Sequence, residues 1–263
     1  MVSVAQAANG SVANVIAVGQ GDLESGFAQS DVTYWAYSGT GIFSKKESIE
    51  NLRVIGSLYS ESFHLVVRKG SGIKSVQDLR GKRISLDEPG SGTLVDARII
   101  LEAYGLSEDD LKPEYVKPDV AVKKIRNNLL DAFFIVAGYP TISVKDLTST
   151  IGAELIPIAG PVAESVIEKY RFFSPDVIPA GVYAGVGETK TLSVVALWVV
   201  DVNLDPELVY QVTKAVWNPR ARLLFEKGHP KALEITVDTA LDGVGIPLHP
   251  GAERYYREIG LLK

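Results

Sequence analysis

The sequence contains no cysteine, which excludes disulfides, thiolate nucleophiles, CxxC redox pairs and cysteine-ligated zinc. Long hydrophobic runs are missing too. The longest, Leu192 to Val200, is about half of what a membrane-spanning helix needs. Basic charge is not in excess: 27 Lys and Arg stand against 32 Asp and Glu, a net charge of −5. That balance argues against a nucleic-acid-binding face. Only three histidines occur, His64, His229 and His249, far apart and in different contexts, so none reads as part of a ligand set or catalytic pair. No HExxH, no GxSxG elbow and no P-loop is present, since Val76 stands where the first glycine before Gly81-Lys82 would fall. Met1 to Gly10 carries neither a basic region nor a long apolar core, and no signal peptide is expected in it. The expectation is no catalytic residue, no cofactor, no metal and no nucleic-acid partner.

What is present suits a folded α/β protein. With 46% hydrophobic and 22% charged residues among 263, the chain can bury enough apolar surface for one large domain or two small ones. Short β-branched runs alternate with turns and helical patterns. Strands are expected at Val2 to Ala7, Ser25 to Gln29, Arg53 to Lys69, Arg83 to Leu86, Asp131 to Val136, Glu154 to Ile158 and Leu192 to Val200. The run Phe63-His64-Leu65-Val66-Val67 has the pattern of a strand buried on both faces. Helices are expected from Ser11, from Asp31 as a cap, and over Ser75 to Leu79, Val120 to Leu130 and Val162 to Tyr170. Leu94, Ala97, Leu101 and Tyr104 form one apolar stripe ending at Gly105. Asp205-Pro206-Glu207 starts a helical tail, which continues over Lys231 to Leu241 and Ala252 to Ile259. Ser107 with Asp110 reads as a capping box, so the Glu108-Asp109-Asp110 cluster is a helix start.

Strands alternating with helices predict mainly parallel sheets. Two long extended stretches bracket a complete alternating set, which predicts two lobes with a cleft between them. The division is lobe I at residues 1–66 and 187–263, and an inserted lobe II at residues 67–186.

Two turns carry the functional signal. Pro89-Gly90-Ser91-Gly92-Thr93 lies between a strand and a helix, where free N–H groups and the positive helix end can hold a carboxylate or phosphate. It is half of a dinucleotide fingerprint, with Val95 at the third glycine position. Asn9-Gly10-Ser11-Val12-Ala13-Asn14 repeats the arrangement. One such turn per lobe favours a clamp on a small acidic molecule, although either turn can equally be a helix cap. Tyr34, Trp35 and Tyr37 suit a pocket wall or a core equally well.

Several phrases together resemble the TAXI family of solute receptors for TRAP transporters. They are Asn9 to Asn14, Gly56-Ser57-Leu58-Tyr59-Ser60-Glu61, Phe63 to Val67, Asp78-Leu79-Arg80-Gly81-Lys82, the Pro89 to Thr93 turn, Asp131-Ala132-Phe133 and Gly138-Tyr139-Pro140. The most specific is the ending Pro247-Leu248-His249-Pro250-Gly251-Ala252-Glu253-Arg254-Tyr255-Tyr256. The resemblance implies a type II periplasmic-binding-protein fold, two α/β lobes joined by two crossing hinge segments. It implies an extracytoplasmic, monomeric receptor that delivers a small carboxylate solute, of the glutamate, glutamine or C4–C5 dicarboxylate kind, to a TRAP-type permease. By position it implies ligand contacts from Ser11 and Asn14 in lobe I, from Ser91, Gly92 and Thr93 in lobe II, and from Tyr59 and Tyr139 near the hinge. The segment around His249 is implied to be a packing signature. Asn127 to Leu130 stands where the family carries Asp-Gly, a loop change. The resemblance also implies that a strand, a helix and an export signal precede what is seen here.

Two other classes stay open. An enzyme of the same bilobal fold, of a thiamin-precursor or porphobilinogen type, would need His64 or Glu61 as its working group. A ligand-sensing core like that of glutamate receptors would need flanking membrane segments.

Overall fold

The protein is described by a computed structural model covering residues 4–225 and 227–263. The chain runs α1 (Ser11–Gln20), β1 (Ser25–Gln29), α2 (Ser30–Ser38), β2 (Leu52–Arg68), β3 (Arg83–Ser85), α3 (Gly92–Ala103), β4 (Lys112–Glu114), α4 (Pro118–Arg126) and β5 (Ala132–Ala137). It continues with α5 (Ile142–Thr150), β6 (Ala153–Ile156), α6 (Pro161–Lys169), β7 (Ser174–Ile178), β8 (Thr189–Asp201), α7 (Pro206–Val216), α8 (Pro219–Phe225) and α9 (Pro250–Glu258). The result is a mixed α/β fold of two lobes on an open sheet.

The strand order is β1-β8-β2-β5-β3-β4, with β6 paired to β2 and β7 to β8. Among the named strands, parallel pairing is confined to β3 with β4 and β5, where helices connect the strands. The expectation of mainly parallel sheets is corrected here, since β2 and β8 pair antiparallel with each other and with all their other partner strands, an isolated parallel bridge from Val54 to Leu248 aside. The reason is topological. The two crossing segments run in opposite directions between the lobes, and being the longest strands they impose their polarity on the sheet's centre.

Side chains of β2 feed cores on both faces. Phe63, Leu65 and Val67 join one cluster with α3 and α6, and Val66 joins another with α4 and α5. That is the two-sided burial predicted for the run. A third core unites α1, β1, α2 and β8, and a fourth packs α7 and α9 on Ile55 and Val200. Tyr256 ties this last core to the hinge, its hydroxyl donating to the Ile55 carbonyl at 2.8 Å and accepting from Trp217 Nε1 at 3.0 Å.

Local expectations are corrected at four places. Residues 4–7 of the first expected strand are exposed and form no strand, because no neighbouring strand is there to accept their ladder bonds; Val2 and Ser3 lie outside the described residues. Asp31 is not the cap of α2. Gln29 takes that place and Asp31 sits inside the first turn, fully buried. Ser75 to Leu79 tightens into a 3-10 turn over Val76–Leu79 with its own capping box. The stretch from Lys231 to Leu241 breaks into two 3-10 turns, Pro230–Glu234 and Val237–Thr239.

Candidate functional site

The polar turns of the sequence meet in space. Gly10 has φ +101°, and a Cβ on it would lie 2.8 Å from the Ser91 Cα, so only glycine permits this approach. The Ala13 N–H donates to the Gly90 carbonyl at 3.0 Å, a backbone bridge between α1 and the turn before α3. The N-termini of α1 and α3 therefore open on one cavity of about 270 Å³. Its wall includes Ser11, Gln29, Glu61, Asp87, Thr93 and Pro118.

Ser91 caps α3, its hydroxyl accepting from the Leu94 N–H at 3.0 Å. Helix geometry leaves the Gly92 and Thr93 amides without an acceptor inside the helix. The Thr93 hydroxyl oxygen accepts from the Val136 N–H at 3.1 Å, which fixes the rotamer and leaves its proton to be donated elsewhere. Gly92 is needed for space, because a Cβ there would fall 1.5 Å from Gln29 Oε1.

The electrostatics are acidic. Glu61 projects from β2, and burial together with the nearby Asp31 charge pushes its carboxyl up to about 8. Asp87 holds a left-handed backbone at φ 75°, a costly conformation for a non-glycine residue. Burial raises its carboxyl as well, opposed by bonds from Glu88, Thr93 and Ser91. No Lys or Arg lines the cavity among the described residues.

The other expected residues are distributed as follows. Ser11, Ser91, Gly92 and Thr93 all reach the cavity. Asn14 is not part of the lining, its Nδ2 donating to the carbonyl of the lining residue Phe27 at 2.8 Å. Tyr59 and Tyr139 stand outside the lining. They flank the hinge, Tyr59 beside Gly138 and Tyr139 beneath the Lys231 ammonium at 4.3 Å. Trp35 belongs to a core, edge-on to Tyr170 and Phe172, and Tyr34 packs on Phe172. His249 caps α9, the packing role expected of that segment.

His64 is sealed from the cavity. Its Nδ1 donates to the Ser62 carbonyl at 2.8 Å, and Nε2 accepts from the Tyr183 hydroxyl at 2.9 Å. Burial holds its imidazolium form down to about 4. A neutral ring with both nitrogens engaged has no proton traffic with a solute. Sequence reasoning overlooked Gln29 at the end of β1, Asp87 in the loop after β3 and Pro118 at the start of α4, whose contact with the cleft depends on the tertiary fold.

A sequence profile of the NMT1-like family matches residues 1–260. The chain belongs to the NMT1-like family. Among solved structures, this NMT1-like chain is similar to a protein from Bordetella bronchiseptica RB50 at TM-score 0.51 and 16% identity, over 93% of this chain and 67% of that one. It is also similar to the alkanesulfonate-binding protein SsuA from Xanthomonas axonopodis pv. citri bound to MOPS, at TM-score 0.46 and 17% identity over 95% and 71% of the two chains. An ancestral arginine-binding protein bound to arginine gives TM-score 0.45 and 14% identity, over 93% and 74%. The NMT1-like chain spans 64% of the length of the periplasmic aliphatic sulphonate binding protein SsuA from Escherichia coli. At these identities the likeness concerns the fold.

Proposed function

We propose that this chain is an extracytoplasmic solute-binding protein that captures a small amino acid of the glutamate or glutamine kind between its lobes and hands it to a TRAP-type permease. The observation that supports this most is the charge layout of the cavity. The amides of Gly92 and Thr93 and the Ser11 hydroxyl form a donor end suited to a carboxylate. Glu61 and Asp87 form an acceptor end suited to an ammonium group, whose charge would draw the raised Glu61 carboxyl into its ionised form. A solute carrying both charges satisfies both ends. A dicarboxylate without an amino group would instead bring a second anion, and no cation, against two acids with no Lys or Arg in the lining. The cavity's 270 Å³ lies just below the range of drug-sized pockets, the scale of a small metabolite.

Membership of the NMT1-like family supports a binding role over an enzymatic one. So does the sealed His64, which removes one of the two groups that could serve as the working group of an enzyme. The TRAP-type partner rests on the TAXI resemblance alone.

The test is a calorimetric panel of L-glutamate, L-glutamine, succinate and 2-oxoglutarate, with mass spectrometry of small molecules released on denaturing the purified protein. Binding of an amino acid, with the two dicarboxylates inert, is expected. Tight dicarboxylate binding with amino acids inert would overturn the reading.

A further inference from the structure

Behind the cavity wall lies a group of acids that solute binding does not use. Asp31, in the first turn of α2, and Asp96, in α3, are both fully buried and face each other closely enough to hydrogen-bond. Both carboxyl oxygens of Asp31 and the Oδ1 of Asp96 have no partner. Gln29 points into the same spot, its Nε2 donating to Asp96 Oδ2 at 3.0 Å while its Oε1 stays unpartnered at 2% exposure. Ser30 Oγ, equally buried, is also unpartnered.

The groups acting on the pair are Glu61 from β2, the Gln29 amide from β1, and the Val32 and Asp31 backbone N–H groups at the start of α2, which favour the ionised Asp31, and none of them carries a full positive charge. Two ionised carboxylates facing each other out of water, with no counter-charge, are strongly disfavoured. One proton changes the situation. It removes one charge, and the new O–H donates to the facing carboxylate, converting two orphan acceptors into a bonded pair. The pair also bridges the lobes, because α2 belongs to the core built on α1 and β1, whereas α3 contributes most of its buried face to the core of lobe II.

We propose that Asp31 and Asp96 form an interlobe proton-binding site that is loaded when the lobes close and emptied when they open, which makes solute retention pH-dependent. On closing, one proton passes from solvent to the pair; on opening, both carboxylates ionise and regain water. The coupling to a solute rests on the solute-binding reading above, but the proton site itself does not. Burial raises both acids from their ordinary range, each adding to the other's rise or answering it by a bond. With one extra proton bound in the closed form, the ratio of closed to open chain falls about tenfold per pH unit above the pair's titration.

Small-angle scattering of the full chain without any solute, at pH 5.5 and 8.5, tests the coupling. The radius of gyration is expected to grow at the higher pH in the native chain. It is expected to stay compact at both in the Asp31→Asn/Asp96→Asn variant, whose amides have no proton to lose. A native radius independent of pH overturns the proposal. So does an expansion that persists in the double variant, which would place the titration on Glu61. Infrared spectra in D2O at pH 7 of the Glu61→Gln variant, which keeps the pair and removes the other strongly raised carboxyl, decide the matter even if the double variant fails to fold, because a protonated-carboxyl band must be present and its absence overturns the site. Neither readout involves a solute, so a solute panel that fails leaves both results standing.

Discussion

Replacing Gly92 by Ala places a methyl group where the structure already has an oxygen. The added Cβ would lie 1.5 Å from Gln29 Oε1, 2.5 Å from its Cδ and 3.1 Å from Ser11 Oγ. Gln29 must swing away, and its bond to Asp96 Oδ2 is lost. Gln29 is 2% exposed, so water does not replace that bond. Losing a hydrogen bond to a buried acid costs about 1.5–3 kcal/mol, and an off-rotamer glutamine adds roughly 0.5–1.5 kcal/mol. The stiffer unfolded chain of the alanine variant offsets about 0.4–1 kcal/mol. The net expectation for Gly92→Ala is a loss of about 2–3 kcal/mol. Urea unfolding followed by circular dichroism should show the midpoint falling by roughly 1 M, given the usual denaturant slopes for domains of this kind. A double-mutant cycle isolates the cause. In a Gln29→Ala background the clash is gone, so Gly92→Ala should cost far less, with a coupling above about 1 kcal/mol. A native midpoint for Gly92→Ala, or a cycle that is simply additive, would refute the steric argument.

Three other outcomes are expected. Glu61→Gln should stabilise the protein at pH 8 and change little at pH 4.5. Glutamate with its carboxyl raised to about 8 binds a proton more tightly when folded, so native stability falls as pH rises from about 4.5 to 8. The gain has an upper bound of about 5 kcal/mol, reduced by water reaching the cavity side, and parallel melting profiles for variant and native chain would contradict it. Asp131 behaves in the opposite sense. Its bonds to Arg83 at 2.6 and 3.0 Å hold its carboxyl down to about 2, so its contribution is present above about pH 4 and is lost as pH falls towards 2. Asp131→Asn should therefore be destabilised at pH 6 and equal to the native chain near pH 2, by thermal melts across that range; a constant difference at all pH values would exclude this linkage. Finally, Thr93→Ala should weaken binding of whichever amino acid the panel identifies by about 1–2 kcal/mol, the loss of one hydrogen bond to a charged group. Calorimetry checks it, and unchanged affinity would leave Thr93 with only its bonds to Val136 and Asp87.

Residues whose role is settled by near neighbours in the chain were legible without a structure. The Ser107–Asp110 box, the Asp205-Pro206 start, the α3 stripe from Leu94 to Leu101 and the two-sided run Phe63 to Val67 all depend on local spacing, and all form as expected. Ser11, Ser91, Gly92 and Thr93 were legible because helix starts advertise themselves. Asp31 was misread for the converse reason: an acid after a strand has the local look of a cap, and only the arrival of Asp96 from 65 positions later in the chain gives it a different environment. Strand polarity was likewise not local. Whether Leu52–Arg68 pairs parallel or antiparallel depends on which distant strand lies beside it, and Thr189–Asp201 decides that.

The two crossing strands form a continuous ladder from Leu52 opposite Asp201 to Ser62 opposite Ser193, interrupted by register shifts at Val54/Gly56 and Ser57/Tyr59. A connection of that kind behaves as a leaf spring. A loop hinge can swivel freely, but here each degree of opening must be absorbed as twist in a hydrogen-bonded ribbon. The two shifts, where the ladder is already irregular, are its most compliant points. Travel is therefore short and the return force is built in. A cleft mounted this way resists wide opening and is drawn back by the same ribbon that lets it open.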